Sequence, residues 1–248
     1  MSRHATLTIG IGNKNEHAEL MTAHENLATF LEANATSYGL ASNALSDLDE
    51  DHRELLREAY AQRQPDAPFI IDRPKSLVLS PLRILLHPSP GLAKTTGNFA
   101  ALCTGERGSQ KKAPCKPYHY KGTPIHRIER GFVLQGGDIT RGDGSGGDSI
   151  YGGALPLEKA GLKPSALEPP LKWGIGAVAM AASSSGKATS QFFICVTDDP
   201  AQLKKLDGKY VVFGQVVGNG GWTEVLRSIE DRGAQGEPVW VEDCGLET

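Results

Sequence analysis

Arg127, Phe132 and Gln135 fall close together in a stretch, Ile125 to Gly153, that reads IHRIERGFVLQGGDITRGDGSGGDSIYGG. A guanidinium, an aromatic ring and a primary amide there supply a fixed cation, an apolar wall and a group that both donates and accepts hydrogen bonds. Gln191 and Phe193 repeat the pairing of amide and aromatic further along. The chemistry open to such a set is electrostatic, since none of these groups is a nucleophile. Periodicity alone favours core packing for the aromatics and a surface ion pair for Arg127.

The elements that must position these residues follow from the pattern around them. Ile125, Arg127, Ile128, Phe132, Val133 and Leu134 suit a strand pair with one buried face, and the glycines crowding residues 136–150 predict a tight loop after it. Within that loop Gly142 to Gly147 fits G-x-G-x-x-G, but outside a strand-to-helix setting it reads as a turn. A faint likeness to a serine-protease GDSGG has an extra glycine and no companion His and Asp. Arg141-Gly142-Asp143 as an adhesion tripeptide is coincidence, and the seven histidines lack ligand spacing, so no metal is assigned.

This run closely resembles the cyclophilin family of peptidyl-prolyl cis-trans isomerases, whose signature is F-H-R-x-x-x-x-F-x-x-Q-G-G-D. Ser190 to Ile194 followed by Leu206 to Gly214 resembles the family's second signature, in the right order. The resemblance covers about Phe69 to Thr248 and marks the chain as a divergent member with an N-terminal extension. It implies rotamase activity on X-Pro bonds, with Arg127 donating to the prolyl nitrogen as its lone pair leaves resonance. Gln135 and Gln191 would hold the peptide backbone, and Phe132, Val133, Phe193 and Leu206 would form the proline pocket. Ala181, Ala182, Ser183, Lys205 and Tyr210 complete the expected substrate-binding set. No cofactor is implied.

Departures from the family pattern carry expectations of their own. Ala182 stands where Asn is usual, a contact made chiefly through backbone, Val133 replaces the common Met, and Tyr210 stands where His is usual. Lys205 occupies the place of a Trp linked with tight cyclosporin binding, so weak cyclosporin binding is expected. Cys103 and Cys244 match two cysteines that some divergent-loop cyclophilins pair as a redox switch. Two buried thiols is the favoured reading, and Gly153, where the family has the Glu that ties that loop down, weakens the switch.

Composition bounds the rest. The 248 residues are 39% hydrophobic, enough for one large domain or a domain with an appendage. A net charge of −3 argues against nucleic acid or an anionic membrane as main partner. The four cysteines form no C-x-x-C pair, the N-terminus lacks an apolar leader core, and no run reaches the length of a membrane span. Cytoplasm is the expected location.

In chain order, Leu20, Leu27, Phe30, Leu31 and Tyr38 predict a helix ending near Gly39. Leu48, Leu55, Leu56, Ala59 and Tyr60 predict a second that begins at Ser46, with Asp49 as capping-box partner, and stops before Pro65. Two placements of the first barrel strand compete. Phe69 to Asp72 as first strand makes residues 1–68 a helical prefix to an isomerase domain of 69–248; Thr6 to Ile11 makes the helices an insertion in the first hairpin. The prefix is adopted, with Pro74 its chief objection. Further on, Lys94 to Glu106 and Trp222 to Ile229 read as two capping helices and residues 153–173 as loop. Strands are expected over Ile175 to Ala181, Phe192 to Thr197, Val211 to Val217 and Val239 to Glu242. The expected fold is mainly β: a closed eight-stranded antiparallel barrel capped by two helices, plus a helical hairpin. The rival to an enzyme is a catalytically weak module that docks Pro-containing segments, with the hairpin as a second interaction surface.

Overall fold

A computed structural model describes residues 3–40, 42–110, 115–182 and 186–247. Strand β1 (Arg3–Ile11) buries Ala5, Leu7 and Ile9 on one face and turns Thr6 and Thr8 away from it. It pairs antiparallel with β2 (Leu82–Leu86), Leu7 facing Leu82, and with β8 (Val239–Leu246), Ile9 facing Val241. The remaining strands are β3 (Arg127–Glu129), β4 (Val133–Gly136), β5 (Ala177–Ala182), β6 (Ala188–Cys195) and β7 (Val212–Val217). They form an antiparallel sheet in the order β3-β4-β6-β5-β7-β2-β1-β8. The lead-in to β3 joins the two ends: Ile125 N–H donates to Val239 O at 2.9 Å and Val241 N–H to Thr123 O at 2.8 Å. The sheet thus curls onto itself.

The first-strand placement adopted from sequence is corrected here. Phe69 to Asp72 is not a strand; β1 is. Between β1 and β2 lies a separate unit, residues 12–77, holding helices α1 (Lys14–Asn34) and α2 (Glu50–Arg63). Phe69 packs on that unit's own core, its ring 6.3 Å from Tyr60 and 4.6 Å beneath the Arg57 guanidinium. The carbonyl of Ile70 accepts from the His24 ring and that of Lys75 from the His17 ring. The Ile70 carbonyl is thus spent on a helix side chain, and Pro74, just beyond, has no N–H for a ladder. Asp49 itself caps α2, accepting from His52 N–H at 2.9 Å, so the helix begins later than Ser46. Leu55, assigned to the apolar face, is instead 49% exposed.

In the barrel unit, α3 (Ala93–Thr104) drives Phe99 into a ring cluster with Tyr120, Phe192 and Phe213, centroids 5.0–5.3 Å apart. Helix α5 (Trp222–Gly233) buries Val225, Leu226 and Ile229. A further helix that the sequence reading did not place, α4 (Pro200–Leu206), starts at Asp199, whose carboxylate accepts from Ala201 N–H. Residues 153–173 are irregular, with two short 3-10 turns, and Glu158 reaches from them to α3, accepting from Lys94 N–H at 3.1 Å and Thr95 N–H at 2.8 Å.

Candidate active site

Four neighbouring strands, β3, β4, β6 and β5, and one short helix build a groove on the barrel wall. Gly131, with φ +67°, turns β3 into β4 so that Arg127 stands directly opposite Gln135. Gln135 in turn pairs with Phe193 of β6, and Phe193 with Ala179 of β5. Adjacent residues on a strand face opposite ways, so Phe192 enters the barrel core while Phe193 floors the groove, which explains why both are buried. A register shift between Met180 and Ala182 brings Ala181 and Ala182 to its rim, where local kinking is common. Helix α4 and its Gly208 turn deliver Lys205, Leu206 and Tyr210.

Arg127, Phe132, Val133, Gln135, Ala181, Ala182, Phe193, Lys205, Leu206 and Tyr210 surround one cavity of ≈ 210 Å³. Those ten expected residues are thus brought together, whereas Ser183 lies outside the described residues. Gln191 lies beside that cavity. Its amide N–H groups donate to the carbonyls of Gly144 (2.8 Å) and Gly146 (2.7 Å), and its oxygen accepts from Gln135 at 2.8 Å. It holds the glycine loop and Gln135. It also lines an adjoining cavity of ≈ 330 Å³ that shares Gln135, Ala181 and Ala182 with the first.

The surface ion pair that periodicity favours for Arg127 is present. The Glu129 carboxylate takes its Nε at 3.0 Å and Nη2 at 2.5 Å, and Nη1 donates to Gln135 Oε1 at 3.3 Å. Half of the side chain is exposed. A guanidinium has five N–H donors, so these contacts orient it and leave two bonds for a ligand in the groove. The aromatic wall is equally fixed: Tyr210 meets Phe193 edge-on at 5.2 Å, and Trp173 stacks behind Phe193 at 6.1 Å with the rings 6° from parallel. Trp173 is not marked by the local pattern, because its partner Phe193 lies on β6, far along the chain; only its place at the end of a long loop sets it apart.

Asp138 organises the glycine loop. Its two oxygens accept from the backbone N–H groups of Thr140, Arg141, Gly144 and Gly146 and from the Thr140 hydroxyl. Burial pushes its carboxyl up, but these donors outweigh that and hold it at about 2. Gly144 is required by close approach as well as by its φ of +86°, since a Cβ there would come within 2.7 Å of the His126 ring. Burial pushes His126 below the usual imidazole range. The G-x-G-x-x-G run is therefore a turn, as expected. Cys103 and Cys244 are neighbouring thiols: burial, then the Cys244 sulfur, pushes Cys103 well up, while the S–H of Cys103 pulls Cys244 down. Among the described residues, no cluster of His, Cys, Asp or Glu has metal-site geometry and no helix is long and apolar enough to cross a membrane.

Residues 83–246 match the family model described as cyclophilin type peptidyl-prolyl cis-trans isomerase/CLD. The chain belongs to that family. It is similar to peptidyl-prolyl cis-trans isomerase CYP21-1 of Arabidopsis thaliana, 48% identical over 124 residues, which is 50% of this chain and 49% of the relative. The chain therefore spans about half the length of the curated relative it matches. The cyclophilin match opens inside β2 rather than at β1, because residues 12–77 separate β1 in sequence from the strand it pairs with.

Proposed function

We propose that this cyclophilin accelerates rotation about X-Pro bonds in flexible or unfolded protein segments and so assists folding, with no cofactor. Amide resonance sets a barrier of about 18–20 kcal/mol, and a site lowers it by binding the twisted imide better than either planar form. The observation that carries this reading is a guanidinium with two N–H bonds to spare beside an aromatic slot. Phe132, Phe193 and Leu206 take the proline ring, Gln135 keeps one N–H for the backbone, and Arg127 donates to the nitrogen as its lone pair localises. The same reading puts the protein in the cytoplasm, where unpaired cysteines are the rule. It makes cyclosporin a weak ligand, since Lys205 offers no indole surface.

NMR exchange on an X-Pro peptide with the wild type and Arg127→Ala tests the reading. Loss of one preorganised donor is expected to lower kcat/KM about a hundredfold. Equal, near-background rates in both proteins would leave a module that docks Pro-containing segments without turning them over.

A further inference from the structure

We propose that Lys205 selects X-Pro segments carrying a carboxylate beside the proline, an inference that rests on the isomerase reading above and names its substrate class. The two cations on the groove are not equivalent. Arg127 is neutralised by Glu129, whereas among the described residues no carboxylate forms an ion pair with Lys205. Lys205 lies in the last turn of α4, where a cation complements the helix dipole, and that alone would explain its charge. The direction of its side chain is what the dipole does not explain. Its ammonium lies over the Phe132 ring, 6.0 Å from the centroid, on the wall of the slot itself.

One of its three N–H bonds goes to Gln202 at 2.8 Å. The others are open to a ligand. Consecutive Cα atoms are about 3.8 Å apart, so a Glu or Asp flanking a proline seated between Phe132 and Phe193 reaches the ammonium without leaving the groove. A neutral flank makes no such contact, and a Lys or Arg flank meets a like charge. The groove therefore recognises the proline ring by shape and its neighbour by sign.

The test uses the full chain and a peptide set with Glu, Gln or Lys on either flank of one proline, each assayed for catalysed exchange and for equilibrium binding. In the wild type the better Glu peptide exceeds its Gln counterpart about three- to fivefold in kcat/KM at low salt, as expected for a partly exposed pair. That ratio falls to one in Lys205→Gln, drops below one in Lys205→Glu, and collapses in roughly 0.5 M salt. A wild-type ratio of one at low salt, or one unchanged in Lys205→Gln, overturns the assignment. The Gln peptides in the wild type test catalysis by themselves. If they show none, the isomerase reading falls, and the charge preference is decided by the titrations: the same Glu over Gln ratio, lost in Lys205→Gln, keeps it, and its absence removes it.

Discussion

At the scale of single residues, the site depends on groups whose hydrogen bonds are spent on other site groups. Gln191 holds Gln135, Gln135 holds Arg127, and the glycine loop that Gln191 grips is folded round Asp138. Asp138 gives this chain of contacts a pH dependence with a definite sign. Its folded carboxyl sits at about 2 against an ordinary 3.8, so the stability it contributes is full above pH 3.8 and is lost as pH falls toward 2. With screening allowed for, that is about 1–2 kcal/mol. Urea unfolding from pH 5 to 2.5 should show this loss in the wild type and a flatter profile in Asp138→Asn, and parallel profiles would refute it. The ten groove residues were legible because two local signatures bracket them. The grip of Gln191 on Gly144 and Gly146 was not, since nothing in a string shows which carbonyls an amide meets.

Elements were legible where their pattern is local and ambiguous where two segments carried the same one. β1 and Phe69 to Asp72 both present strand-like apolar runs, and the choice between them turned on tertiary partners: β2 and β8 for β1, Tyr60 and the His24 ring for the other. Helix α4 was hidden in a seven-residue stretch too short for periodicity to show, although Asp199-Pro200 is a start signal in retrospect. The 153–173 segment read as loop and is one, but its Glu158 supplies the α3 N-terminus with the acceptors that Leu92 lacks. Replacing Glu158 by Ala should cost about 1 kcal/mol in chemical denaturation, with Gln intermediate because it keeps one acceptor without the charge. Equal stability of all three proteins would show that water caps α3 as well.

For the whole molecule, the consequence lies in how the helical unit is spliced into the barrel chain. Its two attachment points are neighbours: Gly10 bridges Val78, Leu79 N–H donates to Ile9 O at 2.8 Å, and the Arg232 guanidinium donates to Ile11 O at 3.2 Å. Each unit also draws its core from its own residues, Leu27, Leu31, Leu56 and Tyr60 in one and Leu7, Ile84, Phe99 and Val241 in the other. An excursion that starts and ends on paired strand positions can be replaced by a short turn without changing the register of β1 on β2. Excising Asn13 to Leu77 and joining Gly12 to Val78 through an inserted Asn-Gly should therefore leave a barrel that unfolds in one cooperative transition. Because every groove residue lies after β2, its X-Pro exchange rate should stay within about twofold of the full chain. A soluble, cooperatively folded excision product that has lost catalysis the full chain retains would show that the helices serve the groove, and failure to fold would show that β1 needs the insertion to find its place.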